Sequence, residues 1–133
     1  NHIASQAAAE ALAMSLGVTV IATTYLREAA DAVRPLLDDQ DAVYHACEAE
    51  TSMMLALEPD LVDVSALASL ATDASRPLGS AGKASFRWRS FTEGTDNGVI
   101  GNPASATAAK GEALLDAIST CLAELVVDDA TWD

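Results

Sequence analysis

The run VTVIATT, residues 18–24, follows directly on a helical stretch, and no other segment restricts the fold as much. All of its residues except Ala22 are β-branched, which suits a strand buried on both faces better than an amphipathic edge. Upstream, residues 3–16 are rich in Ala, Leu and Glu. Ile3, Ala7, Leu12 and Leu16 lie near helical spacing, and Gly17 stands where a C-terminal cap is expected. A helix feeding a doubly buried strand is half of a βαβ unit, so the expected fold is layered α/β.

The remaining segments fit that order. REAADAVRPLLDD, residues 27–39, predicts a short helix limited by Pro35, which has no backbone N–H to donate and disfavours a helical Arg34. Residues 46–57 predict a helix ended by Pro59, DVSALASLA a short helical segment, and SRPLGSAGKAS a surface loop. FRWRSF, residues 86–91, alternates like a strand. TEGTDNGVIGNP has the glycine and asparagine content of turns with positive φ. The last helix carries an apolar stripe at Ala108, Leu115, Ile118, Leu122 and Leu125. No internal repeat or low-complexity tract is present.

Charge excludes several partners. Seven basic residues against twenty acidic ones give a net charge of −13, with no basic cluster for nucleic acid or an anionic membrane to bind. No apolar run approaches the roughly 18 residues of a membrane span, and no signal-peptide pattern opens the chain, so a soluble cytoplasmic protein is expected. The two cysteines, Cys47 and Cys121, form no CxxC pair and read as structural thiols. At 133 residues the chain has the size of one domain or of half of something larger.

The chemistry concentrates in YHACEAETSMMLAL, residues 44–57. On a helix, Ala46, Glu50, Met53, Met54 and Leu57 fall on one face, which puts Glu50 on the expected buried stripe and turns Glu48 to the other side. A carboxylate taken out of water must be paired, hydrogen-bonded or bound to a cation. Spacing alone leaves two readings: a first-turn glutamate accepting free backbone N–H groups beside a cap-region His45, or part of a metal or catalytic site. His45 and Glu48 form an H-x-x-E pair, but one helix does not complete a metal cage, and the other histidine is His2. GSAGKAS lacks the spacing of a phosphate loop. Ser52 and Cys47 lack a nucleophile's setting, and Trp88 and Arg89 read either as packing and a surface salt bridge, the commoner case, or as lining of a substrate pocket.

YHACEAETSMML resembles the HAGxxETS signature of the creatininase (creatinine amidohydrolase) family. WRSFTEGTDNGVIGNPASATAAKGEALLDA resembles the same family's C-terminal block of WRSF, NGV, GDP and ATAEKG, and Asn1 resembles the last residue of its NGHGGN motif. The resemblance implies a three-layer α/β sandwich with a mainly parallel sheet. This chain would supply its C-terminal half as one unit over residues 1–133. It further implies hydrolysis of a C–N bond in a cyclic amide, formamide or peptide, with one or two zinc, manganese or iron ions, in a homo-oligomer such as a hexamer. By the same resemblance His45 is the proton-transferring catalytic residue and Glu50 a metal ligand.

Two positions depart from the family pattern: Cys47 stands for the usual Gly and Asn102 for the usual Asp. The first is expected to crowd the site or shift its substrate, the second to alter a loop. The family's other ligands, an early Glu and His, an Asp soon after and the His of NGHGGN, would precede Asn1, on an N-terminal half or a partner chain. The competing expectations are a non-catalytic subunit with the same fold and a stand-alone acidic binding domain.

Overall fold

The computed structural model describes residues 2–72 and 90–132, over which the chain is mainly helical. The described α-helices are α1 (His2–Leu16), α2 (Tyr25–Glu28), α3 (Ala30–Val33), α4 (Glu48–Leu57), α5 (Leu67–Leu70) and α6 (Ala108–Val127). Short 3-10 turns join them, among them Arg34–Leu36, Pro59–Leu61, Phe91–Glu93 and Pro103–Ser105.

The expected three-layer sandwich is not what forms. The described residues contain no sheet, only two isolated antiparallel bridges, His45 with Ile100 and Thr72 with Gly101. VTVIATT leaves α1 as irregular backbone, with Val18 and Ile21 exposed. A buried parallel strand needs neighbours to take its N–H and C=O groups, and no described residue pairs with 18–24. β-Branched composition fits a pleated surface without creating one. Phe91 opens a 3-10 turn, while the rest of the expected strand up to Arg89, with Trp88, and the loop SRPLGSAGKAS lie outside the described residues.

The helix signals fare better. Gly17 ends α1 at φ +64° and donates its N–H to the Ala13 carbonyl at 2.9 Å, a cap that the left-handed region makes easy for glycine. Pro35 sits in the 3-10 turn that closes α3, and Pro59 follows the C-cap of α4. Among the described residues no helix is long and apolar enough to cross a membrane.

α4 and α6 cross to make the centre of the core. Ala49 and Met53 from α4 meet Leu114 and Ile118 from α6, with Ala29, Val33 and Cys47 closing the cluster. Leu114, fully buried, lies beside the stripe read from the sequence and is its true centre. Leu115, Cys121 and Leu122 pack at the margin, and both cysteines are free thiols. The helices approach so closely at Gly111 that a Cβ there would lie 2.0 Å from the Ser52 carbonyl oxygen. Gly111 is therefore a spacing residue: a methyl group must push two backbones apart. Gly111→Ala is expected to cost about 3 kcal/mol or more, the range of an overpacked core, rather than gain helix propensity. Urea unfolding measures this; a variant as stable as the parent would show that the crossing is looser than described.

Candidate functional site

The segment entering α4 is built mainly by polar side chains that take up backbone N–H groups. Gln40 is its bracket: its Oε1 accepts the N–H of Glu48 at 3.3 Å and of Asn102 at 2.9 Å. Cys47, the N-cap residue, offers no side-chain cap, so Gln40 relieves one of the helix's unpaired donors instead. His45 is held through its backbone, whose N–H and C=O pair with Ile100 at 3.3 and 2.8 Å. Ala46 then turns through φ +48°, a left-handed conformation costing a non-glycine residue about 1–2 kcal/mol. Its N–H donates to Glu50 Oε2 at 2.5 Å, which helps hold the turn.

Burial at the helix front is the reverse of the expectation. Glu48 is fully buried, whereas Glu50 is half-buried. The packed face of α4 runs through Glu48, Ala49, Ser52 and Met53, about one residue, or roughly 100°, from the expected stripe. Met54 and Leu57 are correspondingly exposed. The buried Glu48 is satisfied by Lys110, whose Nζ donates to Glu48 Oε1, to Asp38 Oδ2 at 2.8 Å and to the Ser105 carbonyl at 2.9 Å. Backbone N–H groups of Asp38 and Asp39 complete the carboxylate's shell at 2.9 and 3.4 Å. Burial by itself pulls the Lys110 ammonium down, but the hydrogen bonds and charges of Asp38 and Glu48 outweigh it, and its pKa is raised.

His45 and Glu50 meet at one cleft of about 420 Å³, with Ala46 and Thr51 beside them. The opposite wall comes from residues 61–70, and Val99 and Pro103, both buried, close its base. The turn TDNGV sets this base. Thr95 Oγ1 accepts the N–H of Gly98 at 3.1 Å, and Asn97 Oδ1 accepts that of Val99 at 3.0 Å. Asn97 Nδ2 ties the turn to the Leu70 carbonyl, and Thr72 Oγ1 donates to that of Val99 at 2.7 Å. Gly98 and Gly101 have the positive φ values, +89° and +115°, expected of this loop. The imidazole of His45 meets Phe91 edge to face, with centroids 4.7 Å apart. Sequence reasoning missed Lys110 and Phe91 as part of this region. With seven basic residues in the chain, the short supply of partners for a buried acid was the one usable signal for Lys110.

Among the described residues no group of three or more His, Cys, Asp or Glu could hold a metal ion. Glu50 reaches the cleft with Oε2 engaged by Ala46, so on these residues alone a metal is not caged. The model of one protein family, Creatininase, described as creatinine amidohydrolase, matches residues 1–126. The chain belongs to the creatininase family. No curated protein and no solved structure matches it. Membership carries amidohydrolase chemistry, generally metal-dependent, at the level of the family.

In this creatininase-family chain the two departures from the pattern have structural accounts. Cys47 does not crowd the cleft: it is fully buried in the core, where its Sγ accepts the Tyr44 N–H at 3.4 Å. Asn102 caps the turn Pro103–Ser105 through Oδ1 and donates from Nδ2 to Asp39 Oδ2 at 2.7 Å. Hydrogen bonds from Ser105 and Asn102 hold the Asp39 carboxyl below its usual value. That contribution is present above the ordinary aspartate pKa and disappears as pH falls through the lowered one.

Lys110→Met should cost about 3–5 kcal/mol, because it leaves Glu48 buried without a counter-charge, and adding Glu48→Gln should recover most of the loss. Denaturant melts of the single and double variants decide this; a double variant no better than the single one refutes the pairing. A raised lysine pKa stabilises the fold fully below the ordinary lysine value of about 10.4, and the contribution is lost as pH rises through the raised value. The parent should therefore lose stability there more steeply than the double variant. Asn102→Asp sets a second carboxylate against Asp39. It should destabilise at neutral pH and recover as acid protonates the pair, the opposite slope from the parent's, read from melting temperature between pH 3 and 7.

Proposed function

We propose that this chain forms part of a metal-dependent amidohydrolase that cleaves a C–N bond of a cyclic amide, formamide or peptide. The observation that carries the reading is the meeting of His45 and Glu50 at one cleft in a creatininase-family chain. Amide hydrolysis needs a proton taken from the attacking water and one delivered to the departing nitrogen, since an unprotonated amide anion is too poor a leaving group at neutral pH. An imidazole titrates near neutrality and can do both in turn. His45 suits this role because it is exposed, and its ring meets Phe91 while no described residue hydrogen-bonds to it.

Glu50 is proposed as one ligand of the metal, zinc, manganese or iron, with one or two ions per site. The chain's described residues do not hold an ion unaided. The remaining ligands are proposed to come from an N-terminal half or a partner chain, without which the site is inactive, in a homo-oligomer such as a hexamer. Stored strain at Ala46 supports a functional role for this turn, since left-handed non-glycine residues concentrate where geometry is under selection for a site.

Metal content and hydrolysis, measured together on the complete assembly, test the assignment. Glu50→Ala should lose metal and activity together. His45→Ala should keep its metal and lose turnover by about 10²–10⁴-fold, the range for a general acid–base group. A Glu50→Ala assembly with full metal content and turnover would remove the ligand role, and unchanged turnover in His45→Ala would remove the proton carrier, leaving a non-catalytic subunit as the better description.

A further inference from the structure

We infer that the cleft takes an uncharged amide carrying a bulky aliphatic group, with the amide at the His45 and Glu50 end. This rests on the reading of those two residues given above and adds the substrate class. Away from them the lining is aliphatic: Met54, Val62, Leu67, Leu70 and Val99 face the same space. Its volume of about 420 Å³ lies within the range of small-ligand pockets.

The polar groups of the cleft are sorted in a way that matters. Thr51 donates its hydroxyl to the Ala46 carbonyl at 3.3 Å, and Asp63 Oδ1 accepts both the N–H and the hydroxyl of Ser65. Thr51 Oγ1 and Asp63 Oδ1 are thus engaged with the protein, while the His45 ring has no such partner among the described residues. Side-chain donors to a ligand are therefore confined to the His45 end, and the rest of the lining offers apolar contact and one carboxylate. Charge gives the second restriction. With Glu50 given to the metal in the reading above, Asp63 is the free charge of the cleft, and no Lys or Arg lines it among the described residues. A carboxylate carried at the far end of a ligand's alkyl chain would meet apolar side chains and Asp63 with no cation to pair with. Met54, 40% exposed in this structure, and the half-buried Leu67 and Leu70 give an aliphatic group a surface to remove from water.

The test uses the complete metal-loaded protein and four formamides: N-methyl-, N-butyl- and N-isopentylformamide, and 5-formamidopentanoate, which carries a carboxylate at the far end of its chain. Dissociation constants come from NMR titration, following the methyl signals of Leu67 and Val99. Affinity should rise about threefold for each methylene added, so that N-isopentylformamide binds well over tenfold tighter than N-methylformamide, while 5-formamidopentanoate binds well over tenfold more weakly than N-butylformamide. Leu67→Asn should flatten the chain-length dependence with metal content unchanged. Met54→Gln, at an exposed position, should reduce it and serves if the first variant does not fold. Affinity independent of chain length overturns the inference, as does binding of 5-formamidopentanoate as tight as that of N-butylformamide. So does an absence of shifts with every probe, the result expected if a protein segment fills the cleft. Hydrolysis of the same probes is scored separately: chain-length-dependent binding without turnover of any amide would sink the hydrolase reading and leave the binding preference standing.

Discussion

A fully buried carboxylate at the start of α4 organises this structure. Removing Glu48 from water without a partner costs several kcal/mol, so the fold must bring a cation to it, and Lys110 arrives from a helix that begins 60 residues later. The pair has strict geometric needs. Lys110 must sit one residue before the point where α6 passes closest to α4, and that closeness depends on Gly111 having no side chain. Charge and size requirements thus fall on adjacent positions. A buried ion pair contributes little net stability compared with apolar packing; what it supplies here is a fixed rotation of α4, with Glu48 inward and Glu50 toward the cleft.

From that rotation the rest of the region follows without a sheet. Asp38 and Asp39 direct their N–H groups at Glu48, Gln40 spans Glu48 and Asn102, and Asn102 returns to Asp39. These bonds tie residues 38–40 to nearby Glu48 and to Asn102, far along the chain, through side-chain amides and carboxylates. Side chain to backbone bonds of this kind satisfy loop donors that a ladder would otherwise take. The two isolated bridges add direction: His45 and Thr72 each pair with one of the consecutive residues Ile100 and Gly101, so the TDNGVIG turn is gripped from both sides. The cleft base is firm because its backbone is tied, even though it belongs to no regular element.

Much of this was legible where the cause is local. Gly17, Pro35 and Pro59 mark helix ends through backbone geometry that any context must respect, and Gly98 and Gly101 mark turns for the same reason. The long amphipathic pattern of α6 was equally readable, apart from the central place of Leu114. What failed depended on distant partners. VTVIATT has strand composition, but a strand is a relation between segments, and nothing in the run itself supplies its neighbours. The facing of α4 failed for a related reason: both candidate faces carry apolar residues, Ala49 and Met53 on the packed one and Met53, Met54 and Leu57 on the expected one, so periodicity could not choose. The partner of Glu48 decided the matter from far along the chain. His45 and Glu50 stood out through the signature they match more than through any property of the isolated stretch.

The uneven distribution of contacts divides the molecule by cooperativity. α4 and α6 share the main interhelical contact and the buried ion pair, whereas α1 leaves Ile3, Leu12, Met14 and Leu16 in solvent. A helix of 15 residues is marginal on its own, so α1 draws little from the packing that protects the rest. Backbone amides of α1 are therefore expected at the low-energy end of the opening spectrum, and those at the α4–α6 contact to open with the core. The cleft residues carried by α4, Glu50, Thr51 and Met54, therefore ride on the best-anchored part of the described chain, and loosening of α1 can proceed without disturbing them.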